Sequence, residues 1–319
     1  MVLETVYVAR HGFRLSWETN TWTSPTGIPR DPPLSAHGVD QAKELAAFLE
    51  KELGIEEGMS EEERKARIEG TWVLSSPLYR CCQTATPTAS TLSLPLLVEP
   101  ALGEWYLPVR RGLHPELAKS SFLQQFFPAI PASPDWEPLL IPPRTGESIR
   151  ALHARCATLL PRLIHALEAK GAKRVILFSH AATCIALSRA LAGDLPKELL
   201  DTPEAQPGKA EALGNWKDEE RLSVRAATCS VSKFTRKPDG EGWEREWDGR
   251  TDFLEKGEER RWDLTFVEEI AEDGILEDGT EITPLKSDNY KETPTAAPKE
   301  TAASEARTGE KREEVQGKL

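Results

Sequence analysis

Cysteine is scarce in this 319-residue chain. The five present, Cys81, Cys82, Cys156, Cys184 and Cys229, are odd in number and have neither the density of a disulfide framework nor the spacing of a zinc site. The adjacent Cys81 and Cys82 read as small packed residues at the start of a helix. No stretch of about eighteen apolar residues is present, and Met1-Val-Leu-Glu has neither the basic nor the apolar region of a secretion signal. An intracellular protein, in nucleus or cytoplasm and without a membrane span, is expected. Cations are also in deficit: 40 Lys and Arg against 52 Asp and Glu leave a formal charge of -12. Nonspecific nucleic-acid binding needs clustered cations that displace counterions, so direct binding by the free chain is excluded, and contact with DNA would run through a partner. No internal repeat is visible.

What is present is alternation. Apolar segments at 5–9 (TVYVA), 71–75 (TWVLS) and 174–179 (RVILFS) are separated by helical patterns, which predicts an α/β fold with a largely parallel central sheet and helices on both faces. Ser35 is placed to cap a helix whose apolar stripe is Val39, Ala42, Leu45, Ala46 and Leu49. A second helix is expected to open at the Ser76-Pro77 step, and the clearest one runs through GESIRALHARCATLLPRLIHALEAKG to end at Gly171. The Pro-rich stretch from Leu107 to Arg144 reads as an insertion over the domain, and TCSVSKFTRKP at 228–238 as a last strand. The expected organisation is a domain over 1–238, an aromatic extension over 239–270 that could bind a partner, and a disordered tail over 271–319. That tail has almost no large apolar residue with which to offset its ordering entropy.

The stretch VYVARHGFRLSW ends an apolar strand at Arg10 and His11, and Arg14 follows. In open parallel sheets ligands sit beyond the carboxyl ends of the strands. The second strand runs into Arg80 and the third into His180. Arg10, Arg14, Arg80, His11 and His180 thus converge on one edge, a set suited to a phosphoryl group, because guanidinium forks pair bidentately with its oxygens. Their field disfavours imidazolium and leaves His11 a neutral nucleophile near pH 7. Gly12 is expected to let the backbone turn sharply there. His153 and His165 read as ordinary helix residues, and His37 and His114 as loop residues, with His114 near the pocket mouth. No metal and no cofactor is expected, on the ground that no ligand cluster is visible at this edge.

ARHGFR, SSPLYRCCQTA, GEWY and FSHAATCIAL, in that order over residues 1–235, resemble the signature blocks of the histidine phosphatase (phosphoglycerate mutase-like) superfamily. The resemblance implies that His11 accepts the phosphoryl group, that Arg10, Arg14, Arg80 and His180 hold its oxygens, and that Glu104 exchanges the proton of the leaving oxygen. His11, Glu104 and His180 are the implied catalytic residues, acting on a phosphomonoester by metal-independent hydrolysis. Together with PTGIPRDPPLSAHGVDQAKELA, the block GRTDFLEKGEERRWDLTF beyond those signatures resembles the phosphatase-like 55-kDa (tau) subunits of fungal transcription factor IIIC. It implies partners among the other subunits of that complex, reached through residues 239–270. A non-catalytic scaffold is the alternative. A mutase stands third, because Phe13 and Arg14 occupy the places where mutases carry an acidic residue and a serine.

Overall fold

The computed structural model describes residues 2–109, 111–132, 135–195, 199 and 220–264. Its strands are β1 (Thr5–Arg10), β2 (Thr71–Ser75), β3 (Leu96–Val98), β4 (Arg174–Ser179), β5 (Val231–Arg236) and β6 (Trp243–Arg250). The helices are α1 (Ala36–Glu52), α2 (Glu61–Ile68), α3 (Tyr79–Thr91), α4 (Ser120–Leu123), α5 (Ile149–Ala169) and α6 (Ala181–Leu191). The sheet order is β3-β2-β4-β1-β5-β6. The first four strands are parallel, whereas β5 and β6 run antiparallel to their neighbours.

The alternation of strand side chains sorts the core into two layers. Val6, Val8, Leu74, Leu97, Val175 and Leu177 pack with α5 and α6 on one face. Tyr7, Ala9, Val73, Leu96, Ile176 and Phe178 pack with α1 and α3 on the other. Burial on both faces is why the parallel strands read as continuous apolar runs. Register then aligns their ends, with Arg10 opposite Ser179 and Ser75 opposite Phe178.

Ser35 caps α1, its hydroxyl accepting from the Gly38 N–H at 3.2 Å. In the expected stripe Val39 is only half-buried, and Gln41 is buried instead. α3 opens at Tyr79, two residues beyond the Ser-Pro step, because Leu78 is extended. Its first N–H donates to both oxygens of the Asp31 carboxylate, at 2.9 and 3.0 Å, a cap supplied from a distant loop. β3 was not expected: it has three residues, too few to show a pattern. The described residues of 107–144 are irregular apart from α4, and buried Glu99 anchors the stretch by accepting from Trp136 Nε1 and the N–H groups of Leu139 and Leu140.

The sheet does not stop at β5. Where an extension was expected, β6 adds an edge strand, and the aromatic residues around it pack on the domain itself. Trp243 joins the α5/α6 layer, and Trp247 and Phe253 lie against the other layer. Phe253 stacks on Phe48 with centroids 4.3 Å apart, and Trp262 packs beside Trp105 at 6.5 Å. Residues 265–270 and the expected disordered tail over 271–319 lie outside the described residues.

Two glycines join α1 to the loop after β1. A Cβ on Gly38 would lie 2.0 Å from the Phe13 carbonyl oxygen, and one on Gly12 would lie 2.7 Å from that of Gly38. Both obstacles are backbone. Gly12 therefore serves close approach and not a left-handed turn, its φ lying outside the positive region. Gly38→Ala is expected to lower stability by about 2–3 kcal/mol, as overpacking against a fixed backbone does. The check is a fall in the urea midpoint at unchanged slope.

Candidate active site

The aligned strand ends bring the expected residues together. β1 delivers Arg10 and His11, α3 carries Arg80 in its first turn, and β4 ends at His180, the residue before α6. Glu104 follows a 3-10 turn at Pro100–Leu102. It is held at the sheet edge because Ser179 Oγ donates to the Leu102 carbonyl at 2.7 Å and Thr183 Oγ1 to that of Gly103 at 2.8 Å.

Arg80 is the hub, 1% exposed. Its Nη2 donates to Glu104 Oε2 at 3.0 Å and to His180 Nδ1 at 3.1 Å. Its Nη1 faces Asp31 Oδ1 and the Arg30 carbonyl, both at 3.4 Å. His180 Nδ1 also lies 3.3 Å from Glu104 Oε2, and its Nε2 lies 2.9 Å from Ser76 Oγ, a hydroxyl that can donate or accept. The rings of His11 and His180 meet edge-on at 5.4 Å. His11 Nδ1 lies 2.8 Å from the Gly12 carbonyl. That carbonyl can only accept, so Nδ1 carries the proton and Nε2 keeps its lone pair.

Both imidazoles are held neutral. Burial lowers the His11 pKa well below 6.5, with Arg80, Arg10 and His180 adding to the effect. Desolvation is the larger cause, ahead of the guanidinium groups expected from the sequence. Burial and Arg80 lower His180 to about 4 in spite of Glu104. Burial alone would favour a neutral Glu104, but the contact with His180 Nδ1 at 3.3 Å and the attraction of Arg80 outweigh it and hold the carboxyl well below the usual carboxylate range. Glu104 is thus an anion in the unliganded site.

Arg10 lies deeper than expected. Its Nη1 donates to the carbonyls of Ala226 and Arg260, at 2.7 and 2.5 Å. The Arg14 guanidinium stands 4.4 Å from the centroid of Trp17, and the Trp17 ring stacks on His11 at 6.1 Å. Asp31, Thr84 and Trp17 were not singled out in the sequence. Thr84 Oγ1 accepts from the Gly12 N–H at 3.0 Å and so fixes the loop. Their only signal was position, Asp31 inside the RDPPLS stretch and Thr84 one helical turn after Arg80.

Ligand atoms of His11, Glu104 and His180 lie within 4.8 Å of one another, a cluster that could hold a metal ion. The premise that this edge has no ligand cluster is therefore corrected. The Arg80 cation already bonds two of the three groups, which opposes a second cation there. Beside Glu104 a cavity of about 370 Å³ opens under the insertion, walled by Tyr106, His114, Leu117, Trp136 and Pro142. His114, buried, stacks on Tyr106 at 4.7 Å and faces this cavity. His153 is a core residue bonded to Ile149 and Arg189, whereas His165 is exposed and His37 pairs with Glu259 at 2.5 Å.

Residues 6–222 match the family model described as histidine phosphatase superfamily, branch 1. The chain belongs to the histidine phosphatase superfamily. Among superfamily relatives, it is 31% identical over 301 residues to the transcription factor tau 55 kDa subunit of Saccharomyces cerevisiae, covering 86% of this chain and 62% of the yeast protein. It is 26% identical over 227 residues to the ecdysteroid-phosphate phosphatase of Drosophila melanogaster, covering 60% of this chain and 27% of the fly protein. It therefore spans less than two thirds of either. A crystal structure of ecdysone phosphate phosphatase from Bombix mori, with tungstate, superposes with a TM-score of 0.53 at 18% identity, covering 82% of this chain and 99% of that one. The α/β fold is that of histidine phosphatases.

Because the unfolded chain protonates its histidines near pH 6.5 and folded His180 does so only near 4, the unfolded state holds more protons between these values. Stability should therefore fall as pH drops through that window. In nitrogen-detected NMR spectra His180 should stay neutral to about pH 4 and His11 to well below pH 6.5; imidazolium at either ring near pH 6.5 would contradict the assignment.

Proposed function

We propose that the protein hydrolyses a phosphomonoester through a phosphohistidine at His11. One observation carries the reading: a neutral imidazole, its Nδ1 proton fixed by the Gly12 carbonyl, stands among Arg10, Arg80 and His180 with a carboxylate opposite. His11 Nε2 attacks phosphorus, forming a P–N bond while the P–O bond to the alcohol breaks. The leaving oxygen takes a proton from Glu104. Water, deprotonated by the Glu104 carboxylate, then attacks phosphorus, and the P–N bond breaks to release inorganic phosphate. Arg10, Arg14, Arg80 and His180 hold the phosphoryl oxygens. The cavity beside Glu104 receives the alcohol.

Glu104 begins as an anion, so its role as acid depends on the substrate. A phosphate dianion beside Arg80 takes over the partnership of that cation and raises the Glu104 pKa, so that the carboxyl enters the first step protonated. Phe13, whose ring packs edge-on against Trp17 at 5.0 Å, offers no group for a mutase substrate's carboxylate. Hydrolysis is thus favoured over phosphoryl relocation.

Likeness to the yeast tau subunit supports a second, compatible reading: membership of a transcription factor IIIC complex in the nucleus. In residues 239–264, the described part of the expected partner-binding segment 239–270, the tryptophans and Phe253 pack against the domain itself.

His11→Ala should reduce hydrolysis of an aryl phosphate by several orders of magnitude with the melting temperature unchanged; wild-type rates in that variant would remove His11 from the chemistry. Glu104→Gln should slow alkyl phosphates far more than aryl phosphates, because a good leaving group scarcely needs the proton. Equal losses would reassign Glu104 to binding. Dialysis against chelator should leave both rates intact, and recovery by added divalent metal would instead place an ion at the His11, Glu104 and His180 cluster. For the second reading, wild type and His11→Ala should co-purify equally with the other complex subunits, and a chain recovered alone would end it.

A further inference from the structure

The segment after β6 returns to the candidate site and brings a cation that no signature block contains. Thr228 N–H donates to the Glu259 carbonyl at 3.0 Å and Trp262 N–H to that of Ala226 at 3.2 Å. The Arg260 carbonyl between them accepts from Arg10. Pinned on both sides, Arg260 has a φ of +49°, in the left-handed region that an arginine rarely enters. Such strain persists only where the surroundings impose it, and it gathers at functional positions. Here it directs the carbonyl toward Arg10 and the side chain over the site's rings. The guanidinium carbon is 5.4 Å from the Phe13 centroid and 5.3 Å from that of Trp17.

The carboxylates beside Arg260 in the chain are taken elsewhere. Glu258 pairs with Arg225, and Glu259 bonds His37 and Gln41. Among the described residues no acid forms an ion pair with the Arg260 guanidinium, which is held by aromatic faces alone. A cation fixed by strain and ring contacts, half-buried and without a counter-ion, is arranged for an anion that arrives. The same indole stacks on His11 at 6.1 Å and carries the Arg14 guanidinium at 4.4 Å. Arg260 thus shares a ring with the nucleophile but comes from a segment that supplies none of the residues assigned to the transferred phosphoryl group.

We propose that Arg260 is a specificity residue that binds a second anionic group on the substrate, so that the preferred ester is a phosphomonoester whose alcohol carries another acidic group within a few bonds of the phosphate. The inference rests on the Arg10–His11 pocket being the phosphate site. The anion seats against the guanidinium fork at the edge of Trp17 while the phosphoryl group faces His11.

Pyrophosphate and orthophosphate separate the two claims, read by titration calorimetry on the full chain at fixed, moderate ionic strength. Wild type is expected to bind pyrophosphate about tenfold more tightly than orthophosphate, the worth of one charge-assisted pair at a partly exposed site. In Arg260→Gln that preference should collapse toward one through loss of pyrophosphate affinity, with orthophosphate affected much less. Arg260→Lys, which keeps the charge and loses the planar fork, should restore part of it. An unchanged melting temperature in Arg260→Gln separates this from misfolding, and a preference that falls in Arg260→Gln and partly returns in Arg260→Lys supports the proposal even if both variants are less stable. A wild-type preference that Arg260→Gln leaves intact, or equal loss of both ligands, overturns it. Failure of wild type to bind either anion overturns the phosphate pocket and this inference together, whereas orthophosphate binding without a pyrophosphate preference overturns only the inference.

Discussion

The rest of the site depends on the buried charge of Arg80. A guanidinium 1% exposed is tolerable only when paired and hydrogen-bonded, and its partners come from separate parts of the chain: Asp31 and the Arg30 carbonyl from the loop before α1, Glu104 from the turn after β3, His180 from the end of β4. One cation thereby bears on two properties. It helps to keep Glu104 ionised and lowers the basicity of His11. Asp31 couples this network to the fold, because the carboxylate that faces Arg80 also caps α3, the helix from which Arg80 projects.

An arriving phosphate competes with Glu104 for the same guanidinium. In the unliganded site the carboxylate is the counter-ion; with a dianion present it is released from that duty and placed beside a negative group that favours its protonation. In the proposed reaction the proton needed by the leaving oxygen would thus be held only when there is a phosphoryl group to transfer. A carboxyl kept neutral by burial alone would lack this dependence on substrate.

Much of this was legible in the sequence. Strands buried on both faces show as apolar runs, and their ends name Arg10, His11 and His180 directly. Ser35 and Gly171 mark helix ends by local chemistry. Glu104 was legible only through family resemblance, since an acid in an irregular loop shows no period. Asp31 was not legible at all as a partner of Arg80, because its capping and pairing link positions 48 and 49 residues apart. β6 is half legible. WEREWDGR alternates large and charged residues as a half-buried edge strand does, and the aromatic residues of 240–268 suit a hairpin packed on the domain as well as an interface. Dominance of burial over charge at His11 required knowing how completely Trp17 and the neighbouring strands enclose that ring.

Hydrogen bonding crosses the expected boundary at residue 238. Arg10 Nη1 donates to the carbonyls of Ala226 and Arg260, so the segment after β6 anchors the first signature block. Buried ionic networks of this kind are poor stability devices, because apolar residues of similar volume often serve as well or better. A domain acting only as scaffold has no physical need for Arg80, Asp31 and Glu104 beneath a neutral His11 with its Nε2 lone pair kept open. Desolvated cations around an imidazole held in one tautomer serve a ligand that is itself strongly charged. Membership of a larger assembly would use the outer surface and leave that requirement in place.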